Sequence, residues 1–153
     1  MAQPTDEALV VDASVATKWH LADEEHADRA LLLLRRFALG QTDLIAPDYI
    51  RYEVPSAITV ATTGVRPRIQ PASGKQAIED FLALGLKTVD SVGLTLAAYD
   101  VVQRHGCSLY DALYLALAEQ LGLRFITADA KLYRRLRHLP HIVWIGDYSP
   151  PET

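Results

Sequence analysis

The stretch from Cys107 to Leu132, CSLYDALYLALAEQLGLRFITADAKL, predicts a helix, a turn and a strand in close succession. Before Gly122, apolar residues recur at intervals of three and four, as on the buried face of a helix. Ser108 is placed to cap this helix, with Asp111 in its first turn and Gly122 at its end. The following run, LRFITA, is typical of a buried parallel strand, and Asp129 stands at its exit. Ligands bind beyond the carboxyl ends of such strands, so this edge of the sheet is a candidate site.

The rest of the chain alternates short apolar runs with helical patterns. Further strands are predicted at residues 8–12, 43–47, 87–90 and 142–145, and helices at 13–19, 24–39, 49–58, 73–85, 94–105 and 130–138. Glu24 and Glu25 would form an acidic first turn, and Asp48 would cap the helix that follows it. Pro55 removes a backbone donor, so we expect a kink there or a helix that begins near residues 52–54 instead of at Tyr49. The alternation predicts an α/β fold with a parallel sheet.

Length and composition limit the possibilities further. With 153 residues, half of them hydrophobic, the chain is most simply one domain, with a core at about residues 9–146. Its single cysteine, Cys107, excludes a disulfide framework and is expected in the core. The sequence shows neither a secretory leader nor an apolar run long enough to span a bilayer, so we expect a cytoplasmic protein without a membrane partner. The net charge of −4 argues against coating nucleic acid by bulk electrostatics, although a local basic face is compatible with it.

Four acids stand where the predicted elements meet one edge of the sheet. Asp12 and Asp129 follow strands, Asp111 opens a helix, and Glu53 lies on the third predicted helix. Each acid has an ordinary alternative role as a helix cap, a dipole partner or half of an ion pair. A cluster of ionised carboxylates requires a compensating charge, which Mg²⁺ or Mn²⁺ supplies through oxygen ligands. Such ions support phosphodiester hydrolysis by generating the nucleophile and stabilising the leaving oxygen.

Four segments resemble PIN-domain proteins, and most closely the VapC toxins of type II toxin–antitoxin pairs. They are VVDASVATKW at residues 10–19, APDYIRYEV at 46–54, SLYDALYLALA at 108–118 and FITADAKL at 125–132. Their order and spacing agree with the family across about residues 9–145. The resemblance implies a three-layer α/β/α fold with a parallel sheet of order 3-2-1-4-5. It also implies a Mg²⁺- or Mn²⁺-dependent endoribonuclease that acts on RNA as a toxin, is inhibited by a cognate VapB-like antitoxin, and forms a homodimer.

The resemblance also assigns site residues. The acidic positions of the family correspond to Asp12, Glu53, Asp111 and Asp129, which would be both catalytic and metal-binding. The polar positions beside them correspond to Ser14 and Thr127, whose hydroxyls would orient a carboxylate or a water, or equally would cap or bond the backbone. The chain departs from the family pattern at Pro55, two places after Glu53.

The segment after Asp129 is basic. Its Lys131, Arg134 and Arg135 would hold RNA phosphates without reading sequence, or would form an ordinary solvated helix face. Tyr110 and Tyr114 are interpreted as packing residues, and Asp147 as a solvated turn residue that could lie near the acids. The alternative to an enzyme is a non-catalytic PIN-like module that binds RNA or a protein, with its acids too widely spaced for metal.

Overall fold

The computed structural model describes residues 5–152. Five strands form one sheet, in which every neighbouring pair is parallel and the order is β3-β2-β1-β4-β5. The strands are β1 (Glu7–Val11), β2 (Thr42–Pro47), β3 (Lys87–Val89), β4 (Arg124–Thr127) and β5 (Ile142–Trp144). The predicted α/β class and the strand order 3-2-1-4-5 are confirmed.

Helices cover both faces of the sheet, which completes the predicted three layers. They are α1 (Ala13–Lys18), α2 (Ala27–Ala38), α3 (Ile50–Ala61), α4 (Pro71–Ala83), α5 (Thr95–His105), α6 (Leu109–Leu121) and α7 (Ala130–Leu136). Two 3₁₀ segments, Val92–Leu94 and Ile145–Asp147, precede α5 and follow β5. Within residues 5–152, no helix has the length and apolar character needed to cross a membrane.

The two central strands, β1 and β4, carry the core. Their residues Leu9, Val10, Val11, Phe125 and Ile126 are all inaccessible to solvent, as expected of parallel strands that are covered on both faces. Val11 lies opposite Ile126 in the register, so the residues after both strands emerge side by side. This pairing brings the segment after β1 and the segment after β4 to one edge of the sheet.

Helix α6 is anchored as its sequence predicts. The Ser108 hydroxyl accepts a hydrogen bond from the Asp111 backbone N–H at 3.1 Å, and Gly122 ends the helix with a left-handed φ of 65°. Residues 112–118 are buried without interruption. Cys107, just before the helix, is a buried free thiol, which confirms the expected core position.

The predicted start of α2 is wrong by one turn. The helix begins at Ala27, so Glu24 and Glu25 lie before it and Asp28 is the acid of its first turn. His26 precedes the helix with a left-handed φ of 61°, a conformation that interrupts a right-handed helix. The helical sequence pattern includes residues 24–25, but the left-handed conformation of His26 separates them from the helix.

Of the two effects expected of Pro55, the later helix start is wrong, because α3 begins at Ile50 and continues through the proline. A kink at Pro55 stays a prediction. The first turn is closed by the Glu53 N–H, which donates to the Tyr49 carbonyl at 3.1 Å. Asp48 does not cap the helix with its side chain. Its Oδ1 accepts instead from the Ser91 backbone N–H at 3.0 Å, and the Ser91 hydroxyl accepts from the Tyr49 N–H at 2.9 Å. A helix interior loses one backbone bond at proline, and the contacts at its start and the buried face of α3 offset that loss.

Candidate functional site

Asp12 follows β1 directly and is only 3% exposed. It is the N-cap residue of α1, but its carboxylate makes no capping bond. Its Oδ2 instead accepts hydrogen bonds from the hydroxyls of Ser14 and Thr127, each at 2.7 Å. Burial raises the pKa of Asp12 to about 6, the two hydroxyl donors oppose this rise, and the charges of Asp111 and Asp129 add to it.

The same two hydroxyls are tied to the backbone that follows β4. Ser14 Oγ accepts from the Ala128 N–H at 2.9 Å, and Thr127 Oγ1 accepts from the Asp129 N–H at 3.1 Å. Both alternatives considered for Ser14 and Thr127 therefore hold at once, since each orients Asp12 and each bonds the backbone. Asp12 Oδ1 accepts no hydrogen bond within residues 5–152, so this oxygen is available to a ligand.

Glu53 approaches from α3 and is half-buried. Its Oε1 accepts a hydrogen bond from the Tyr114 hydroxyl of α6 at 2.8 Å. Burial raises the pKa of Glu53 to about 7, the Tyr114 bond opposes the rise, and the charges of Asp12 and Asp111 add to it. Pro55 therefore does not carry Glu53 away from the other acids.

Asp111 and Asp129 complete the group. Asp111 lies in the first turn of α6, where burial raises its pKa, hydrogen bonding from Ser108 opposes the rise, and the charge of Asp129 adds to it. Asp129 caps α7, and its Oδ1 accepts from the Leu132 N–H at 3.0 Å. Its second oxygen accepts no hydrogen bond within the described chain. The structure thus brings all four predicted acids to one edge, which we call the acid cluster: Asp12, Glu53, Asp111 and Asp129.

The acid cluster has no basic partner among residues 5–152. None of the ion pairs there involves any of its four members, which sets them apart from acids such as Glu7 or Glu119, both of which pair with arginine. The donor chemistry fits a hard divalent cation, since every member is a carboxylate and three of them use one oxygen internally and leave the other open. Within the same residues, however, no three His, Cys, Asp or Glu side chains are arranged to hold an ion. A shared ion would therefore require these carboxylates to draw closer together.

A cavity of about 160 Å³ lies on one side of the cluster. Asp111 and Asp129 line this cavity, together with the basic residues Lys131 and Arg135 of α7. Lys131 and Arg135 are one helical turn apart, whereas Arg134, which is exposed as they are, does not line the cavity. The predicted basic segment is therefore divided, with two of its three cations beside the acids.

Sequence reasoning missed two residues that contact or adjoin the site. Tyr114 is fully buried against Phe125, as a packing residue should be, yet its hydroxyl also holds Glu53. Its position three residues after Asp111 on the same helix was the available signal. The other is Lys18, which lines a second cavity beside Glu53. Asp147 is exposed in the 3₁₀ segment after β5 and lines neither cavity.

The fold and the acidic edge agree with one family. The family profile of the PIN domain matches residues 9–137, and the chain therefore belongs to the PIN-domain family. It is 32% identical over 124 residues to the VapC ribonuclease Mb0985 of Mycobacterium bovis, covering 81% of this chain and 87% of that protein. It is also 30% identical over 127 residues to ribonuclease VapC3 of Pyrobaculum aerophilum, covering 81% of this chain and 91% of that one. These relatives confirm the resemblance drawn from the four segments.

A solved structure supports the fold independently. A chain of a toxin–antitoxin complex from Klebsiella pneumoniae superposes with a TM-score of 0.60 and 16% identity, and the match covers 93% of this chain and 99% of that one. At this identity the likeness concerns the fold alone.

Proposed function

We propose that this protein is a divalent-metal-dependent endoribonuclease that hydrolyses RNA phosphodiester bonds. The observation that carries the proposal is the acid cluster, in which four carboxylates converge at the carboxyl edge of the sheet without a basic partner in the described chain. The names of the relatives, which are VapC ribonucleases, support RNA as the substrate.

Asp12, Glu53, Asp111 and Asp129 would hold Mg²⁺ or Mn²⁺, through the carboxylate oxygens that make no internal hydrogen bond. A bound ion supplies activation of water and stabilisation of negative charge on the phosphate. Ser14 and Thr127 keep Asp12 fixed through Oδ2. Glu53 has a pKa of about 7 without metal, and its ionised form is the one that would bind the ion through Oε2.

Cleavage assays on RNA test the proposal. The purified protein should cleave RNA in Mg²⁺ or Mn²⁺ and stop in chelator, and Asp111→Asn and Asp129→Asn should each abolish cleavage while preserving the fold. Asn is a good helix cap, so Asp129→Asn keeps the first turn of α7. Asp100→Asn, at an exposed position of α5, is the matched control and should retain full activity. Activity that survives chelator or either site substitution would contradict the assignment.

One observation favours a second candidate, a non-catalytic PIN-like module that binds RNA or a protein. It is the absence, within residues 5–152, of three side chains arranged for one ion. Such a module would bind RNA without cleaving it and would show no difference in RNA turnover between wild type and Asp12→Asn.

We further propose that the protein acts in the cytoplasm as the toxin of a VapBC-type pair, inhibited by a cognate VapB-like antitoxin. The VapC names of the relatives and the toxin–antitoxin complex of the structural neighbour support this role. Induced expression should arrest growth, and co-expression of the antitoxin, which we expect to cover the acid cluster with a basic side chain of its own, should restore it. Growth arrest by Asp129→Asn at equal expression would contradict toxicity through RNA cleavage.

We also propose a homodimer. An exposed apolar face supports it: Val92, Leu96 and Tyr99 are 77%, 83% and 58% exposed and recur at helical spacing along the segment that leads into α5. Tyr110, in the first turn of α6, which packs against α5, is also exposed.

A further inference from the structure

Lys18 is a cation with a largely buried side chain, and the acid cluster does not explain its role. It lies in the last turn of α1, six residues after Asp12, and is only 9% exposed. Within residues 5–152 its ammonium forms neither an ion pair within 4.0 Å nor a side-chain hydrogen bond. The stem of the side chain is buried while the ammonium keeps contact with solvent, so Lys18 presents an unpaired positive charge next to the acids.

A cavity that could hold an anion lies beside the Lys18 side chain. Lys18 lines a cavity of about 320 Å³ together with Ser14, Thr17, Glu24, Glu53 and Ala128. Ser14 and Glu53 connect this cavity to the acid cluster, because Ser14 bonds Asp12 and Glu53 belongs to the cluster. Glu24 already lies 3.8 Å from Arg68, and Glu53 already accepts from Tyr114, so neither is reserved for Lys18.

The two cavities adjoin different members of the acid cluster, since Asp111 and Asp129 line one and Glu53 lines the other. They adjoin consecutive residues, since Ala128 lines the cavity of Lys18 and Asp129 lines the cavity of Lys131 and Arg135. A polyanion that crosses the acids between them would meet a cation at each end. Basic side chains on both sides of a cluster of like-charged acids are the arrangement expected of a site that holds a strand through its phosphates.

We propose that Lys18 binds a backbone phosphate of the RNA on the Glu53 side of the acid cluster, opposite the phosphate held by Lys131 and Arg135. The inference rests on the proposed ribonuclease function and adds the path of the strand across the site. A phosphate contact fixes the register of the strand and carries no base preference, so Lys18 sets affinity and position, not sequence choice.

Binding measured without cleavage tests the proposal. An Asp111→Asn background prevents turnover, and a short fluorescein-labelled single-stranded RNA of mixed sequence is titrated in Mg²⁺ at several salt concentrations. Lys18→Met keeps the apolar stem and removes the charge, Lys18→Arg keeps the charge, and Lys75→Gln removes an exposed charge from α4 as the matched control. Circular dichroism and melting temperature establish that each variant is folded.

Lys18→Met should weaken binding roughly three- to ten-fold at low salt and lower the slope of log Kd against log salt by about 0.7, as loss of one contact to a single strand requires. Lys18→Arg and Lys75→Gln should match the background protein. In the otherwise wild-type enzyme, Lys18→Met should raise KM far more than it lowers kcat.

Unchanged affinity and salt slope in a folded Lys18→Met protein would overturn the inference, even where the wild type cleaves RNA and the proposed function stands. If Lys18→Met does not fold, Lys18→Gln and protection of Lys18 from acetylation by the same RNA replace it, and equal acetylation with and without RNA would overturn the inference. Wild-type protein that neither binds nor cleaves RNA would remove the proposed function and this inference together.

Discussion

The Tyr114 hydroxyl donates to Glu53 Oε1 at 2.8 Å, and this bond joins α6 to α3 across 61 residues of sequence. It stabilises the ionised form of Glu53, against burial and the charges of two neighbouring acids, which favour the protonated form. Tyr114 thereby sets how much of Glu53 is ionised near neutral pH, while its ring packs on Phe125 in the core.

Tyr114→Phe should shift the pH dependence of cleavage. The ring and its packing stay, but loss of the donor raises the pKa of Glu53 above its value of about 7. Because the ionised carboxylate is the reactive form, the acidic limb of the kcat/KM profile should move to higher pH. Tyr110→Phe alters an exposed tyrosine that stacks on Tyr49, and its profile should match the wild type. An unshifted limb in Tyr114→Phe would show that Glu53 does not control that ionisation.

The free energy of unfolding should depend on pH through Asp12 and Glu53. Their folded pKa values, about 6 and about 7, lie above the ordinary 3.8 and 4.5, so the native state holds protons that the unfolded state releases. In metal-free protein, their contribution to stability is fully present below about pH 4 and is lost as pH rises through 6 and 7. For Asp12 the change amounts to at most about 3 kcal/mol.

Denaturant unfolding of wild type and Asp12→Asn in chelator measures this effect. Asn still accepts from Ser14 and Thr127 and carries no charge, so the variant should exceed the wild type in stability at pH 8 and lose that advantage near pH 4. His20 and His105 have lowered pKa values, so their contribution to stability changes with pH in the opposite direction. Both proteins contain these histidines, so the difference in stability between the two proteins reports Asp12 alone. A constant difference across pH would mean that the pKa of Asp12 is the same in the native and unfolded states.

The parallel α/β fold and the edge that carries the acids could be predicted from the residue pattern, and the strand order from the family resemblance, whereas the contacts between side chains could not. Apolar runs that end in Asp12 and Asp129 locate two acids, because parallel strands meet their ligands at their carboxyl ends. The start of α3 before Pro55 depends on tertiary contacts of Asp48 and Ser91. The periodicity of apolar residues cannot predict such contacts. Tyr114 fits the apolar stripe of α6 as well as a leucine would, so the sequence pattern predicts only its packing. Its hydrogen bond to Glu53 is seen only in the structure.

Arg135 lines the cavity beside Asp129 and Arg134 does not, so the two adjacent arginines should differ in their contribution to RNA binding. Arg135→Gln should weaken RNA binding and lower the magnitude of the salt slope by about 0.7, because Arg135 lines the cavity beside Asp129. Arg134→Gln removes the same charge from an exposed position outside that cavity and serves as the matched control. Fluorescence titrations at several salt concentrations provide both slopes. Equal effects of the two substitutions would show that α7 is a solvated helix that attracts RNA only through its net charge.

The exposed apolar face predicts the oligomeric state. Leu96→Glu places a charge at the centre of the face formed with Val92 and Tyr99, so a dimer that buries this face should dissociate to monomers. Light scattering after size exclusion measures the mass directly. Leu39→Glu alters another exposed leucine, beyond the end of α2, and should leave the dimer intact. A wild-type protein that is already monomeric would contradict the proposed homodimer.

For the metal-free protein, removal of one charge from the acid cluster should raise thermal stability. For the protein with Mn²⁺, the same substitution should reduce the stabilisation by the ion. Without metal, the negative charge of Asp129 already raises the pKa of Asp111, so Asp111→Asn should relieve repulsion and melt at or above the wild-type temperature in chelator. With Mn²⁺ at about 100 times its dissociation constant, the wild type should gain roughly 2.7 kcal/mol, because the ion binds only the native state. The variant should gain far less, having lost one ligand and one charge.

Asp100→Asn, at an exposed position of α5, should leave both the apo melting temperature and the response to Mn²⁺ unchanged. If Asp111 served only the helix dipole of α6, its substitution would instead lower apo stability by about 1 kcal/mol or less, and Mn²⁺ would stabilise both proteins alike. The two roles thus predict opposite signs for one thermal melt in chelator. Lower apo stability together with an undiminished response to Mn²⁺ would exclude Asp111 from the metal site.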